Sequence, residues 1–304
     1  MDRYYEIKQK LLALCETEQE IKAVILIGSQ ARDCCKADEY SDVDLIIACS
    51  HPEKLLYEDT LIRKLGMPVY SFVEDTIAGE KERRILFEGS LDADMIILNE
   101  DRLKSHLNSH SIDEIMNCGY KLLFDWCGIA EYLDMITVIE KTSYIPLSEE
   151  EFKNQANDFF FHTVWAEKKI RRGELWTAIM CINGYLKSKL LSVIEMYEHI
   201  VHGETYDTRY GGRMIEQWSE SFIAEKLKNC FAGYNSDDLL SALESTKQLY
   251  IILCRKCAQS YSYKTGIDEM TTEYTAKPQA DFTSVCGCFV YCSQNSSISS
   301  PSGP

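Results

Sequence analysis

The chain has 304 residues, with 32 Lys and Arg against 48 Asp and Glu, a formal net charge of −16. That length suggests two domains, and a hydrophobic fraction of 45% is enough to build ordinary globular cores. The acidic balance argues against a general nucleic-acid binder, which needs a basic face for phosphates, and suits a cationic partner.

The strongly apolar runs Ala23–Ile27, Val43–Cys49 and Leu249–Cys254 are far shorter than the ~18–20 residues that span a membrane. Residues 1–6 hold no apolar signal core, so no membrane association is expected and the location is expected to be cytoplasmic. The 13 Cys, an odd number, read as reduced thiols rather than a disulfide framework. The adjacent Cys34 and Cys35 are poorly placed to share a metal. Cys286-x-Cys288-x3-Cys292 lacks a fourth ligand at zinc-finger spacing, so no zinc is expected there.

In chain order, Tyr4, Leu11, Leu12 and Cys15 recur at helical spacing and predict an opening helix. Five strands follow: Lys22–Ile27, Val43–Ala48, Pro68–Val73, Arg84–Phe87 and Ala93–Leu98. Strands interspersed with helices indicate an α/β or α+β domain around one sheet. From about Ile112 the pattern turns helical. Ser148 and Glu151 form a capping box ahead of a helix with Phe152, Ala156, Phe159, Phe160 and Val164 on one face, ended by Gly173. A second helix carries Ile179, Ile182, Leu186, Leu190, Val193 and Tyr197 and closes at His202-Gly203. A third runs from about Asp237 to Gln259, capped by Asn235 or Ser236, with Leu239, Leu243, Tyr250 and Leu253 as its stripe. All four Trp (126, 165, 176 and 218) fall in this helical half, where core anchoring is their commoner use. The expected domains are 1–140, 141–264, and a Ser/Thr-rich, weakly ordered or disordered tail at 265–304.

The chemistry concentrates at Ile27-Gly28-Ser29, followed twelve residues later by Asp42-Val43-Asp44-Leu45. The first strand delivers Gly28 and Ser29 to a turn where backbone can approach a ligand closely and a hydroxyl can donate. Residues 29–33 could open a short helix whose free N–H groups favour phosphate. Alternation along a strand turns Asp42 and Asp44 to one face, where they repel unless a cation lies between them. Hard oxygen ligands beside a phosphate cradle suit Mg²⁺. Asp94, flanked by Ala93 and Met95 in a predicted strand, is the third candidate ligand. Glu88 could add an acid near the same rim, and Asp92 reads as a solvated hairpin edge.

Gly28-Ser29, Asp42-Val43-Asp44 and Asp94 resemble the nucleotidyltransferase superfamily that shares the DNA polymerase β palm fold. More narrowly, Ile27–Arg32, Ala37–Leu45, Leu86–Gly89 and Lys168–Trp176 are similar to the aminoglycoside 6-adenylyltransferases, also called streptomycin adenylyltransferases, over roughly residues 1–262. The pattern departs at Gln30, where family members often carry Arg; Arg32 is the compensating candidate. The resemblance implies an α+β fold with a mixed sheet and flanking helices, followed by an all-α helical bundle that binds substrate. It implies transfer of AMP from ATP to a hydroxyl of a cationic antibiotic such as streptomycin, conferring resistance, by a monomer or homodimer. Asp42, Asp44 and Asp94 would hold two Mg²⁺; with one metal, Asp94 would be a general base. Gly28 and Ser29 would grip the β- and γ-phosphates, Arg32 and Lys168 would contact phosphate, and Glu88 would face the drug. Other readings of the same residues are a lincosamide or other small-molecule nucleotidyltransferase, and a non-catalytic toxin–antitoxin module on this fold.

Overall fold

The computed structural model describes residues 3–32, 37–76, 78–136 and 143–264. The chain divides into two compact units, Met1–Thr142 and Ser143–Pro304. The expectations for Cys34-Cys35, for the tail at 265–304 and for Cys286, Cys288 and Cys292 lie outside the described residues.

The first unit is a six-stranded mixed sheet with flanking helices. Its strands are β1 (Ile21–Ile27), β2 (Val43–Cys49), β3 (Pro68–Asp75), β4 (Lys81–Phe87), β5 (Leu91–Leu98) and β6 (Lys121–Asp125). The order across the sheet is β3-β4-β5-β2-β1-β6. β2 and β5 run parallel, and every other neighbouring pair is antiparallel. The central strands β1 and β2 read as nearly unbroken apolar runs because both faces of the sheet are covered there. One face packs under α1 (Tyr5–Thr17), α2 (Pro52–Tyr57) and α3 (Ile62–Leu65), burying Leu11, Leu55, Ile62, Leu45, Ile47 and Met95. The other packs under α4 (Glu100–Asn108), α5 (Asp113–Asn117) and α6 (Ile129–Leu133), burying Ile25, Ile46, Ala48, Leu98, Leu103 and Ile129.

All five expected strands form, several of them longer than predicted. β6 corrects the helical reading after Ile112. Its five residues are too few to show a period, and their strand character comes from pairing with β1. Trp126, which directly follows β6, therefore belongs to the first unit rather than the helical half. Arg83 on β4 is buried, because its guanidinium donates to Ser71 Oγ, the carbonyls of Leu55 and Glu58, and Asp59 Oδ1, at 2.5–2.9 Å. It ties the α2–α3 connection to the sheet.

The second unit is helical. It comprises α7 (Glu149–Arg171), α8 (Leu175–Met180), α9 (Leu186–His202), the short α10 (Ile215–Trp218), α11 (Ser221–Leu227) and α12 (Ser236–Tyr261). The α7 capping box forms as predicted: Ser148 accepts from the Glu151 amide while Glu151 accepts from the Ser148 amide. Gly173 and Gly203 follow α7 and α9 at φ +74° and +97°, which side chains disfavour. Asn235, not Ser236, caps α12. The predicted continuous helix through Ile179 and Ile182 is instead split by a π-helical turn, Cys181–Tyr185. Lys187 is half-buried there and donates to Ile182 O at 2.9 Å and to Thr246 Oγ1 at 2.8 Å. Burial among groups that carry no opposite charge pushes its ammonium down to about 8. Among the described residues, no helix is long and apolar enough to cross a membrane.

Phe159 on α7 and Tyr250 on α12 are fully buried and stack at 3.6 Å between centroids. Phe159→Ala is expected to cost about 3–5 kcal/mol by leaving a cavity, and Ser148→Ala about 1 kcal/mol by removing a cap. Denaturant unfolding followed by circular dichroism checks this ranking, which fails if the two losses are equal.

Candidate active site

β1 delivers Gly28, Ser29 and Gln30 into a single 3₁₀ turn, where a short helix was expected to open. Gly28 takes φ +69°, and a Cβ built on it would lie 1.8 Å from Asp44 Oδ2. Glycine is required twice over here, for the left-handed backbone and for the carboxylate packed against it. Ile27 and Asp44 are register partners across β1 and β2, which brings the turn onto the acid.

Asp44 and Asp94 are themselves partners on the parallel strands β2 and β5. Asp42 precedes β2, and its carbonyl accepts from Gln30 Nε2 at 2.7 Å, while Gln30 Oε1 accepts from Lys8 Nζ at 2.9 Å. Gln30 therefore braces the chain ahead of β2. Upstream, Asp38 Oδ1 accepts from the Tyr40 amide and the Ser41 hydroxyl, folding the approach into a compact turn. One carboxylate oxygen from each of Asp42, Asp44 and Asp94 lies within 4.8 Å of the others.

That crowding shows in their proton affinities. Burial, with Asp42 and Asp94 alongside, pushes Asp44 up to about 7. Burial also pushes Asp94 up to about 6, against the pull of the Arg84 guanidinium and with Glu82 and Asp42 adding to the rise. Arg84 stands opposite Asp94 on β4. Its Nη2 lies 3.3 Å from Asp94 Oδ2, and its Nε lies 3.2 Å from Glu82 Oε2 and 2.8 Å from Glu74 Oε1. Ser29 Oγ and Arg32 Nε are buried beside the turn without a hydrogen-bond partner. Two unmet polar atoms, a cradle that a Cβ would fill and a set of hard oxygen donors suit a phosphate and a divalent cation.

Along the same face of the sheet, Ile46 follows Asp44 and Ile96 follows Asp94. A cavity of about 410 Å³ opens there, lined by Ile46, Ile96, Leu103, Glu74, Glu80 and Glu82 among others. Glu88 is not part of this arrangement. It sits exposed in the β4–β5 turn, roughly 10 Å along the sheet from Asp94, because Phe87 already pairs with Leu91. The acid that β4 turns toward Asp94 is Glu82. Asp92 is exposed at the hairpin edge and accepts from the Tyr4 hydroxyl at 3.0 Å. Lys168 is exposed near the C-terminus of α7, in the second unit. Glu82, Arg84 and the brace from Gln30 were missed in the sequence. Alternation marks Glu82 and Arg84 as one face of a strand, but only the pairing with β5 shows what that face meets.

Residues 1–277 match the family described as streptomycin adenylyltransferase. No curated protein matches the chain. Among solved structures, an aminoglycoside 6-adenyltransferase from Bacillus subtilis is similar at 15% identity and TM-score 0.42, covering 89% of this chain and 95% of that one. A nucleotidyltransferase-like protein from Exiguobacterium sibiricum 255-15 is similar at 10% identity and TM-score 0.30, covering 84% and 77%. A spectinomycin adenyltransferase from Enterococcus faecialis, solved with ATP and spectinomycin, is similar at 12% identity and TM-score 0.27, covering 83% and 98%.

The folded state holds a proton on Asp44 up to about 7, whereas an unfolded Asp releases it near 3.8. Stability from this group is therefore complete below about pH 4 and is lost as pH rises through 7. Without divalent ions, Asp44→Asn is expected to raise stability at pH 8 by about 1–2 kcal/mol, solvent screening included, and by much less at pH 4.5. Thermal melts of both proteins at the two pH values check this, and an equal gain at both contradicts it. Gly28→Ala is expected to destabilise by more than about 1 kcal/mol, since it forces a strained φ and displaces the Asp44 carboxylate. Denaturant unfolding that leaves the variant unchanged would contradict the packing described.

Proposed function

The chain belongs to the streptomycin adenylyltransferase family, and from that premise we propose that it transfers AMP from ATP to a hydroxyl of a cationic aminoglycoside such as streptomycin, as a 6-adenylyltransferase. The observation that carries this reading is the meeting of the Asp42, Asp44 and Asp94 carboxylates against the Gly28–Ser29 turn.

In this reading Asp42, Asp44 and Asp94 would hold two Mg²⁺, which would supply charge neutralisation for the triphosphate and a lower pKa for the acceptor hydroxyl. The other contributions come from the chain. Gly28 lets backbone lie close to the phosphates. Ser29 Oγ donates to a phosphate oxygen, which meets its unfilled bond, and Arg32 places a guanidinium at the same end. Gln30 fixes Asp42, and Arg84 holds Asp94 in the rotamer that faces the reacting hydroxyl. If a single metal is held by Asp42 and Asp44, Asp94 is instead the group placed to take the hydroxyl proton. The hydroxyl oxygen then bonds to the α-phosphorus, the bond to the β-phosphate bridging oxygen breaks in line, and pyrophosphate leaves. Glu74, Glu80 and Glu82 around the adjoining cavity suit an acceptor carrying several ammonium or guanidinium groups.

Incubating the protein with labelled ATP, Mg²⁺ and streptomycin is expected to yield an AMP–drug adduct and pyrophosphate. Asp44→Asn is expected to lower the rate at least about 100-fold with the fold intact by circular dichroism. An adduct with a lincosamide but no aminoglycoside would refute the acceptor. Full activity in Asp44→Asn would refute the metal assignment.

A further inference from the structure

The second unit contains a cluster that nucleotidyl transfer does not use. Glu198 and His202 lie one turn apart on α9, and so share a face. Glu220, the residue before α11, reaches the same point. One ligand atom from each lies within 4.8 Å of the others.

Glu198 is fully buried. Its Oε1 accepts from the Glu220 amide at 2.8 Å. Its Oε2 is buried without a well-formed hydrogen bond and lies 3.2 Å from His202 Nε2, an ion pair when the imidazole is protonated. A buried carboxylate oxygen without a well-formed hydrogen bond is costly, and it is aimed at the imidazole. His202 Nε2 is also 3.3 Å from Glu220 Oε1. Two ligands bound at ~2.0–2.1 Å by one tetrahedral ion lie about 3.3 Å apart, so both separations match ligands that share a metal. The imidazole is held in place, since its ring stacks on Tyr206 at 4.4 Å and the Tyr206 hydroxyl donates to Trp218 O at 2.8 Å. His202 and Glu220 are part exposed, which leaves the outer side open to water.

We propose that Glu198, His202 and Glu220 form a second divalent-metal site, within the helical unit, that takes a first-row transition ion such as Zn²⁺ and ties α9 to the start of α11. One imidazole and two carboxylates favour Zn²⁺ over Mg²⁺, whose usual ligands are oxygens alone. Three protein ligands and one water complete a tetrahedron.

The test uses the full chain carrying Asp42→Asn and Asp44→Asn, which removes the other carboxylate cluster. After dialysis against Zn²⁺ and then metal-free buffer, adding His202→Gln is expected to lower the retained zinc by about one ion per chain by elemental analysis. Zinc held by thiols is common to both proteins and drops out of the difference. Co²⁺ is expected to give a visible ligand-field absorption that His202→Gln abolishes. If His202→Gln does not fold by circular dichroism, Glu220→Gln at the rim gives the same comparison. Equal Zn²⁺ content and equal Co²⁺ spectra with and without the substitution would overturn the proposal. So would the absence of bound Zn²⁺, which would leave the cluster as an ion pair between His202 and the two carboxylates.

Discussion

The first unit is organised around repulsion. The parallel register of β2 and β5 sets Asp44 beside Asp94, and the Gln30 brace on the Asp42 carbonyl adds a third carboxylate. Three like charges in a half-buried place resist folding unless protons or cations neutralise them. Asp44 and Asp94 hold their protons toward neutral pH, and Arg84 on β4 partly offsets the charge of Asp94. Such an arrangement costs stability, and the proposed nucleotidyl transfer gives it a use. Gly28 completes the constraint, because its missing side chain is the space that the Asp44 carboxylate occupies.

The rest of the sheet keeps those charges where they are. β1 and β2 are buried on both faces, so a one-residue slip would send Asp44 into the core beneath α1–α3 and turn Val43 and Leu45 to the opposite face. The two arginines of β4 divide their roles by alternation. Arg83 points into the protein and spends its donors on backbone carbonyls, Ser71 and Asp59. Arg84 points to the opposite face and collects Glu74, Glu82 and Asp94.

The helical unit also places unusual groups where its packing is irregular. The π-helical turn at Cys181–Tyr185 is accompanied by a half-buried Lys187, and Asn183 exchanges two hydrogen bonds of 3.0 Å with the backbone of Ala232. At the far end of α9, the fully buried Glu198 accepts from the start of α11 with one oxygen and turns the other to His202. Lys187 and Glu198 both join helices distant in sequence.

What the sequence determined by itself is local. Short apolar and β-branched runs bounded by turn residues mark β1 to β5, period-3.6 stripes and caps mark α1, α7 and α12, and the Gly28-Ser29 turn before Asp42-x-Asp44 marks where chemistry concentrates, because each signal lies within a few residues of its cause. The tertiary structure decided what depends on pairing between distant segments. β6 is a strand because β1 accepts it, Glu82 and Arg84 face Asp94 while Glu88 does not because the β4–β5 register says so, and Glu220 meets Glu198 and His202 only when α11 docks on α9. No local period carries that information, since a side chain's neighbours across a sheet or bundle are set by the global arrangement of elements and not by its own segment.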